Sequence, residues 1–151
     1  MDSEEQIAPS YCAVFRVMCK RYDIASYIPQ RPPFVFIDTI EEVDAKGART
    51  RFAISESCPL VVDGILPLSG VMENVAQTCA TMAKGAIAYI GEVKQMEVLR
   101  FPHVGEIVCT EAKVLQEWLN ILLVECTTQV NDETIAIATL KIATITDNAA
   151  K

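Results

Sequence analysis

Glu73 is the side chain in this sequence best placed to move a proton. It lies in PLSGVMENVAQTCATMAKGAIAYI, residues 67–90, where Met72, Val75, Ala76, Cys79, Met82, Ala83, Ala86, Ile87 and Ile90 recur at three-and-four spacing. That is the period of a helix. Glu73 and Lys84 are its only charges, and a carboxylate in apolar company is raw material for general acid–base chemistry. Gln77 stands one turn further on. Ser69 and Gly70 fall at the start, where the free N–H groups of a helix can hold developing negative charge. Ser69 is the expected N-cap after the break at Pro67, Gly91 the expected stop, and Gly70 permits close approach of a ligand. Gly70, Glu73, Gln77, Thr81 and Lys84 share one side. Such a stripe ordinarily faces solvent. Here Asn74, Gln77, Thr78 and Thr81 are polar but uncharged, which suits a cavity better than bulk water.

Two loop residues complete the candidate set. His103, the only histidine, falls in an expected turn beside Pro102, and a role-free loop histidine is its ordinary reading. Asp63 precedes Gly64 and reads first as a turn residue. Both stand with Ser69, Gly70 and Gln77 as candidate substrate-binding residues. The six cysteines (Cys12, Cys19, Cys58, Cys79, Cys109, Cys126) are scattered without a CxxC. With one histidine they offer no metal site, and nothing in the chain calls for a cofactor.

The elements that must position these groups are legible around the helix. Asp23 caps a short turn, and Pro29, Pro32 and Pro33 force an extended path. Residues 34–43 read as a strand, Asp44–Gly47 as a turn, and residues 49–54 as the returning strand of a hairpin. A loop over residues 56–66 delivers the backbone to the helix. Beyond it the period changes to two, giving strands at 96–101, 107–115, 119–130 and 134–145, with Gly105 and Asn131–Asp132 at turns. About six strands and one long helix make an α+β domain over residues 23–147. Residues 1–22 read as an N-terminal extension and 148–151 as a tail. A sheet of this kind needs the helix and a second copy to cover its apolar surface.

Composition narrows the partners. The net charge of −7 with 51% hydrophobic residues describes a globular chain and argues against nucleic acid. No apolar run approaches the roughly 18 residues of a membrane span. The acidic start MDSEEQIAPS is unlike a secretory leader, so a reduced, cytoplasmic protein is expected. Against the acidic background, Arg16, Lys20, Arg21 and Arg31 form a local basic group. Its ordinary reading is a solvated charge cluster; its sharper one is docking of an anionic partner.

Three segments together carry a resemblance. DIASYIPQRPPFVFIDTI looks like the opening of the β-hydroxyacyl-(acyl-carrier-protein) dehydratases, with its Leu-Pro-His-Arg, proline, Phe and strand ending in Asp. PLSGVMENVAQTCA resembles their central helix, with Glu, Ala and Gln at the spacing of Glu73, Ala76 and Gln77. RFPHVGEIV resembles the strand and turn after it. The resemblance implies a hotdog fold, an antiparallel sheet around one central helix, joined to a second subunit as one continuous sheet. It also implies Glu73 as the catalytic acid, with Arg31 and its basic neighbours in the approach of the carrier protein.

One departure bears on the chemistry. The family's histidine before the helix would fall at Cys58 or Pro59, the second histidine is replaced by Gln30, and residues 1–102 contain none. Three functions follow from the resemblance. The first is a 3-hydroxyacyl-thioester dehydratase of fatty-acid or polyketide-type metabolism, acting on acyl-carrier-protein or CoA thioesters with Glu73 serving both proton transfers. The second is an acyl thioesterase. The third is a non-catalytic acyl-binding or partner subunit of a complete dehydratase. The assembly is accordingly a homodimer or a mixed dimer with a second hotdog subunit.

Overall fold

A computed structural model describes residues 21–145. Six strands, β1 (Thr39–Val43), β2 (Gly47–Ala53), β3 (Ile87–Val98), β4 (Ile107–Trp118), β5 (Ile121–Val130) and β6 (Glu133–Ile145), surround one helix, α1 (Leu68–Ala80). They form a single sheet in the order β1-β2-β4-β5-β6-β3, with every neighbouring pair antiparallel. This is the α+β arrangement expected of a hotdog fold, with the helix inserted after the second strand.

The helix is shorter than its apolar spacing suggests. It ends at Ala80, continues as a 3-10 turn over Thr81–Ala83, and reverses at Lys84 (φ 50°) and Gly85 (φ 88°). Gly85 suits that left-handed step, and a Cβ there would lie 2.8 Å from the Ser26 carbonyl oxygen. Ile87 and Ile90, expected on the helix, begin a twelve-residue strand instead. Their spacing fits a helix, but β-branched and aromatic residues (IAYIGEV) also suit a pleated surface, and pairing with β6 decides between the two. Gly91, expected to stop the helix, lies in β3 where its register against β6 shifts. The strand expected at 96–101 is the end of this longer one. The N-cap position belongs to Pro67, in extended conformation, and Ser69 sits within the first turn. The first strand is also shorter than expected, beginning at Thr39.

Alternation along the strands sets the core. Val108, Ala112, Val124, Cys126, Val130, Ala138, Leu140 and Ile142 are buried and, as residues of one parity, point to the helix side. From α1, Val71, Val75 and Cys79 answer them at four-residue intervals. The Cys79 and Cys126 sulfurs lie 3.4 Å apart. The hydrogen bond between them and then burial push the Cys79 thiol up, so it stays protonated.

A second helix stripe is polar and equally buried. Thr50, Thr110 and Thr128 face one another directly across β2, β4 and β5. Thr110 Oγ1 donates to Asn74 Oδ1 (2.6 Å) and lies 2.9 Å from Thr128 Oγ1. Thr78 Oγ1 donates to the Asn74 carbonyl (2.8 Å) and lies 2.8 Å from Thr50 Oγ1. Asn74 Nδ2 in turn donates to the Phe36 carbonyl at 2.7 Å. Asn74 and Thr78, expected with Gln77 and Thr81 to line a cavity, are 0–1% exposed and hydrogen-bonded to the threonines of the sheet.

Replacing Asn74 by Leu leaves the Phe36 carbonyl and the Thr110 hydroxyl without that partner. The expected loss is about 3 kcal/mol of unfolding free energy, read from denaturant midpoints. A midpoint equal to that of the unmodified protein would show that the row does not hold the helix.

Candidate active site

Glu73 is half-buried, and its Oε1 accepts a hydrogen bond from Gln77 Nε2 at 2.8 Å, one helical turn away. Gln77 is fully buried. Its other amide hydrogen goes to the Phe34 carbonyl (2.9 Å), and its Oε1 accepts the Phe36 N–H (2.7 Å). The carboxamide therefore ties the 34–36 segment to the helix and spends its remaining donor on Glu73. Gln77 acts here by positioning the carboxylate.

The helix start supplies the second ingredient. The Gly70 and Val71 N–H groups both donate to the Pro67 carbonyl, at 2.9 and 3.0 Å. Those of Leu68 and Ser69 precede the first intrahelical acceptor, and both side chains are exposed. Gly70 does not present open space to a ligand. It is buried, and a Cβ on it would lie 2.2 Å from Leu66 Cδ1, so the missing side chain lets Leu66 pack against the helix.

The two loop candidates meet this end of the molecule in different ways. Asp63 (φ 51°) and Gly64 (φ 74°) form the two-residue turn between Val62 and Ile65, whose N–H and carbonyl groups pair at 3.0 Å in both directions. The turn reading of Asp63 is the one its backbone fits. His103 bridges Ile65 through its backbone, while the Leu66 N–H donates to the Pro102 carbonyl and the Val104 N–H to Gly64, both at 2.9 Å. The histidine turn thus braces the loop leading into α1 of its own chain. Its side chain is 55% exposed, with Nδ1 3.8 Å from Glu106 Oε2. Glu106 anchors that turn by accepting from Arg100 Nη1 (3.1 and 3.0 Å) and from the His103 N–H (2.7 Å).

The basic candidates separate. Arg16 and Lys20 lie outside the described residues, and Arg21 is exposed. Arg31 donates to the carbonyls of Ile28, Gln30 and Ala25, at 2.8, 2.8 and 3.1 Å. It staples its own turn, and no carboxylate among the described residues pairs with it. A cavity of about 650 Å³ lies on the sheet face opposite α1, beside Arg49, Arg51, Cys109 and Glu111. There the arginines pair with Glu111 and Glu41, so the cleft is already neutralised. Among the described residues no cluster of three or more His, Cys, Asp or Glu side chains could hold a metal ion. Among the same residues no helix is long and apolar enough to cross a membrane.

Sequence reasoning missed the Thr50–Thr110–Thr128 row. Its only signal was threonine at inward positions of three strands, which becomes visible once their register is known. The anchoring of Phe34 and Phe36 was missed as well, because backbone partners leave no trace in side-chain types.

Arg100, and after it the His103 N–H, hold Glu106 below the usual carboxylate range. A depressed folded value means the contribution is present above the unfolded value of about 4.3 and is lost as pH falls through the folded one. The stability gap between the unmodified protein and Glu106→Gln is therefore expected to be constant near neutrality. It should shrink as pH falls below about 4.3, in urea titrations across that range. A gap that does not change with pH would show that the anchor is not ionic.

Comparison with known proteins bears on the fold and the family. The description "ApeP-like: ApeP dehydratase" matches residues 22–151. No curated protein sequence matches the chain. Among solved structures, a chain of the dehydratase heterocomplex ApeI:P from Xenorhabdus doucetiae is similar at TM-score 0.77 and 12% identity, covering 85% of this chain and 94% of that one. Cj0977, a sigma28-regulated virulence protein from Campylobacter jejuni, is similar at 0.67 and 14%, covering 93% of each. A hypothetical thioesterase with coenzyme A from Streptococcus pneumoniae TIGR4 is similar at 0.61 and 8%, covering 70% of this chain and 84% of that one. At these identities the structures establish the hotdog fold, and the match over residues 22–151 establishes the family: this chain belongs to the ApeP-like dehydratases.

Proposed function

We propose that this chain is a subunit of a hotdog dehydratase that removes water from 3-hydroxyacyl thioesters, with Glu73 as its acid. The observation that carries the reading is the Glu73 carboxylate, fixed by Gln77 about one turn from the start of α1 at Leu68 and Ser69. In the reaction a base takes the proton next to the thioester carbonyl, negative charge collects on the carbonyl oxygen, and the 3-hydroxyl leaves as water. Glu73 gives the hydroxyl its proton, and the helix start stabilises the oxygen.

The base is the missing part. Residues 1–102 contain no histidine. That favours a site completed by a second hotdog subunit that contributes the histidine. Among the described residues β3 is the long free edge for that pairing, with Ile87, Tyr89, Ile90 and Val93 37–53% exposed; an edge of this kind invites another strand. The dehydratase heterocomplex among the similar structures supports a mixed dimer over a homodimer. A thioesterase is the second reading, supported by the similar fold solved with coenzyme A. The setting proposed for either is the cytoplasm.

Co-expression with a histidine-bearing hotdog subunit is expected to yield a complex that dehydrates 3-hydroxyacyl thioesters, with Glu73→Gln lowering its rate about 10²-fold or more. The homodimer alone should turn over poorly and gain activity from Pro59→His or Cys58→His. Efficient turnover by the unmodified homodimer, unaffected by Glu73→Gln, would place the chemistry elsewhere. Thioester hydrolysis without enoyl product would favour the second reading.

A further inference from the structure

The sheet face turned away from α1 bears an apolar row at one end. Trp118 of β4 stands opposite Ile121 of β5, Ile121 opposite Ala143 of β6, and Ala143 opposite Tyr89 of β3. Ile145 and Ile87 pair directly in the next row. Residues opposite one another share a face. Ala143 and Ile145 alternate with the buried Leu140 and Ile142, so that face is the one away from the helix. Trp118, Ile121, Tyr89, Ile87 and Ile145 are 38–53% exposed among the described residues. Toward the middle of the sheet the row stops at the Lys141–Glu92 ion pair (2.9 Å). A joined apolar surface of this kind on an otherwise charged exterior marks an interaction.

The hairpin tip beside it adds a second observation. Leu119 is 99% exposed and takes φ 53°, a left-handed turn position ordinarily filled by Gly or Asn. Neither burial among the described residues nor turn geometry accounts for a leucine there. The start of the described chain says what does. Residues 1–20 lie outside the described residues, and the family match begins only at residue 22. Within them, residues 11–19 read YCAVFRVMC, with Arg16 the only charge. The chain enters the fold at the end of the sheet that bears the row. Tyr22 meets Tyr27 edge to face at 5.5 Å, and the Ser26 carbonyl oxygen leaves no room for a Cβ at Gly85, two residues before β3 starts at Ile87.

We infer that residues 11–19 of this chain lie over the Trp118–Tyr89 row and the Leu119 tip. Nine residues reach up to about 30 Å, whereas the row, three inter-strand spacings across, is about 14 Å wide. A second copy or a lipid surface would also be drawn to such a row. Either would leave the equally apolar segment 11–19 in water. Two apolar surfaces joined only through Lys20 and Arg21 meet at high effective concentration and without the cost of bringing two molecules together. The cover lies on the face of β3, so the outer edge of that strand is left for pairing with a second subunit. No residue of the row takes part in the chemistry proposed above, and the inference stands apart from it.

Trp118 is the only tryptophan, so its fluorescence reads the row directly. The test is acrylamide quenching of the full chain. Phe15→Glu and Val17→Glu, which put a charge into the apolar contact, are each expected to raise the quenching constant about twofold and to shift the emission to longer wavelength. Leu119→Asn should act in the same direction. Because asparagine suits that turn, its unfolding midpoint should not fall, which separates loss of the cover from loss of the fold. Quenching unchanged by the three substitutions would overturn the inference. Protection of Trp118 that vanishes on dilution from micromolar to nanomolar chain would give the row to a second copy, and protection gained only with phosphatidylglycerol vesicles would give it to lipid. Each of those results would overturn the inference as well.

Discussion

The position of Glu73 depends on a row of buried hydroxyls and amides that fastens α1 to the sheet. Thr50, Thr110 and Thr128 lie abreast on three strands, and Asn74 and Thr78 meet them from the helix. Apolar packing between Val75, Cys79 and the strands supplies the larger stabilisation, but it is non-directional and would tolerate a helix shifted along its axis. The polar row would not. A shift of one residue would strand several buried polar atoms, each expensive to leave unpaired. Register is thereby passed from sheet to helix and from helix to carboxylate.

Gln77 extends the same device outward. It is one of the fully buried side chains, and it spends its amide on two backbone groups of the Phe34–Phe36 segment and on Glu73. The segment before β1 would otherwise be a proline-rich connection with few backbone partners. A single helical side chain makes it part of the site. At the opposite end of α1 the loop of Val62–Leu66 is held by Pro102, His103 and Val104, and that turn is itself held by Glu106. The helix is thus braced near both ends, by Gln77 on the Phe34–Phe36 segment and by the Pro102–Val104 turn on the loop before its start.

Much of this fold was legible in the sequence because period-two alternation after residue 105 is clean and the turn residues are unambiguous. Asn131 and Asp132 both adopt positive φ, as a tight hairpin between β5 and β6 requires. The helix end was not legible. Ala86, Ile87 and Ile90 continue the helical spacing, and only pairing with β6, a contact between residues some fifty apart, decides for strand. The candidate site was legible in its central carboxylate and its glutamine neighbour. It was not legible in the role of that glutamine, nor in Gly70, whose missing side chain accommodates Leu66. Residue types show that a group can bond, and only the fold shows which partner has claimed it.

The same distinction applies to the chain's lack of a histidine before the helix. The groups that set the position of Glu73 are Asn74, Gln77, Thr78 and the strand threonines, and none of them depends on a base being present. The geometry that orients the Glu73 carboxylate is therefore independent of a histidine before the helix. Retaining that geometry in a chain with no chemistry to perform would be costly, because buried polar rows contribute less to stability than apolar substitutes of the same shape can. A half-site kept in register makes physical sense when another subunit closes it. The outer edge of β3, unpaired among the described residues, lies on the strand that follows α1 through the Lys84–Gly85 reversal. A partner added there would extend the same sheet that already fixes the helix, and the register carried by the threonine row would then serve both subunits.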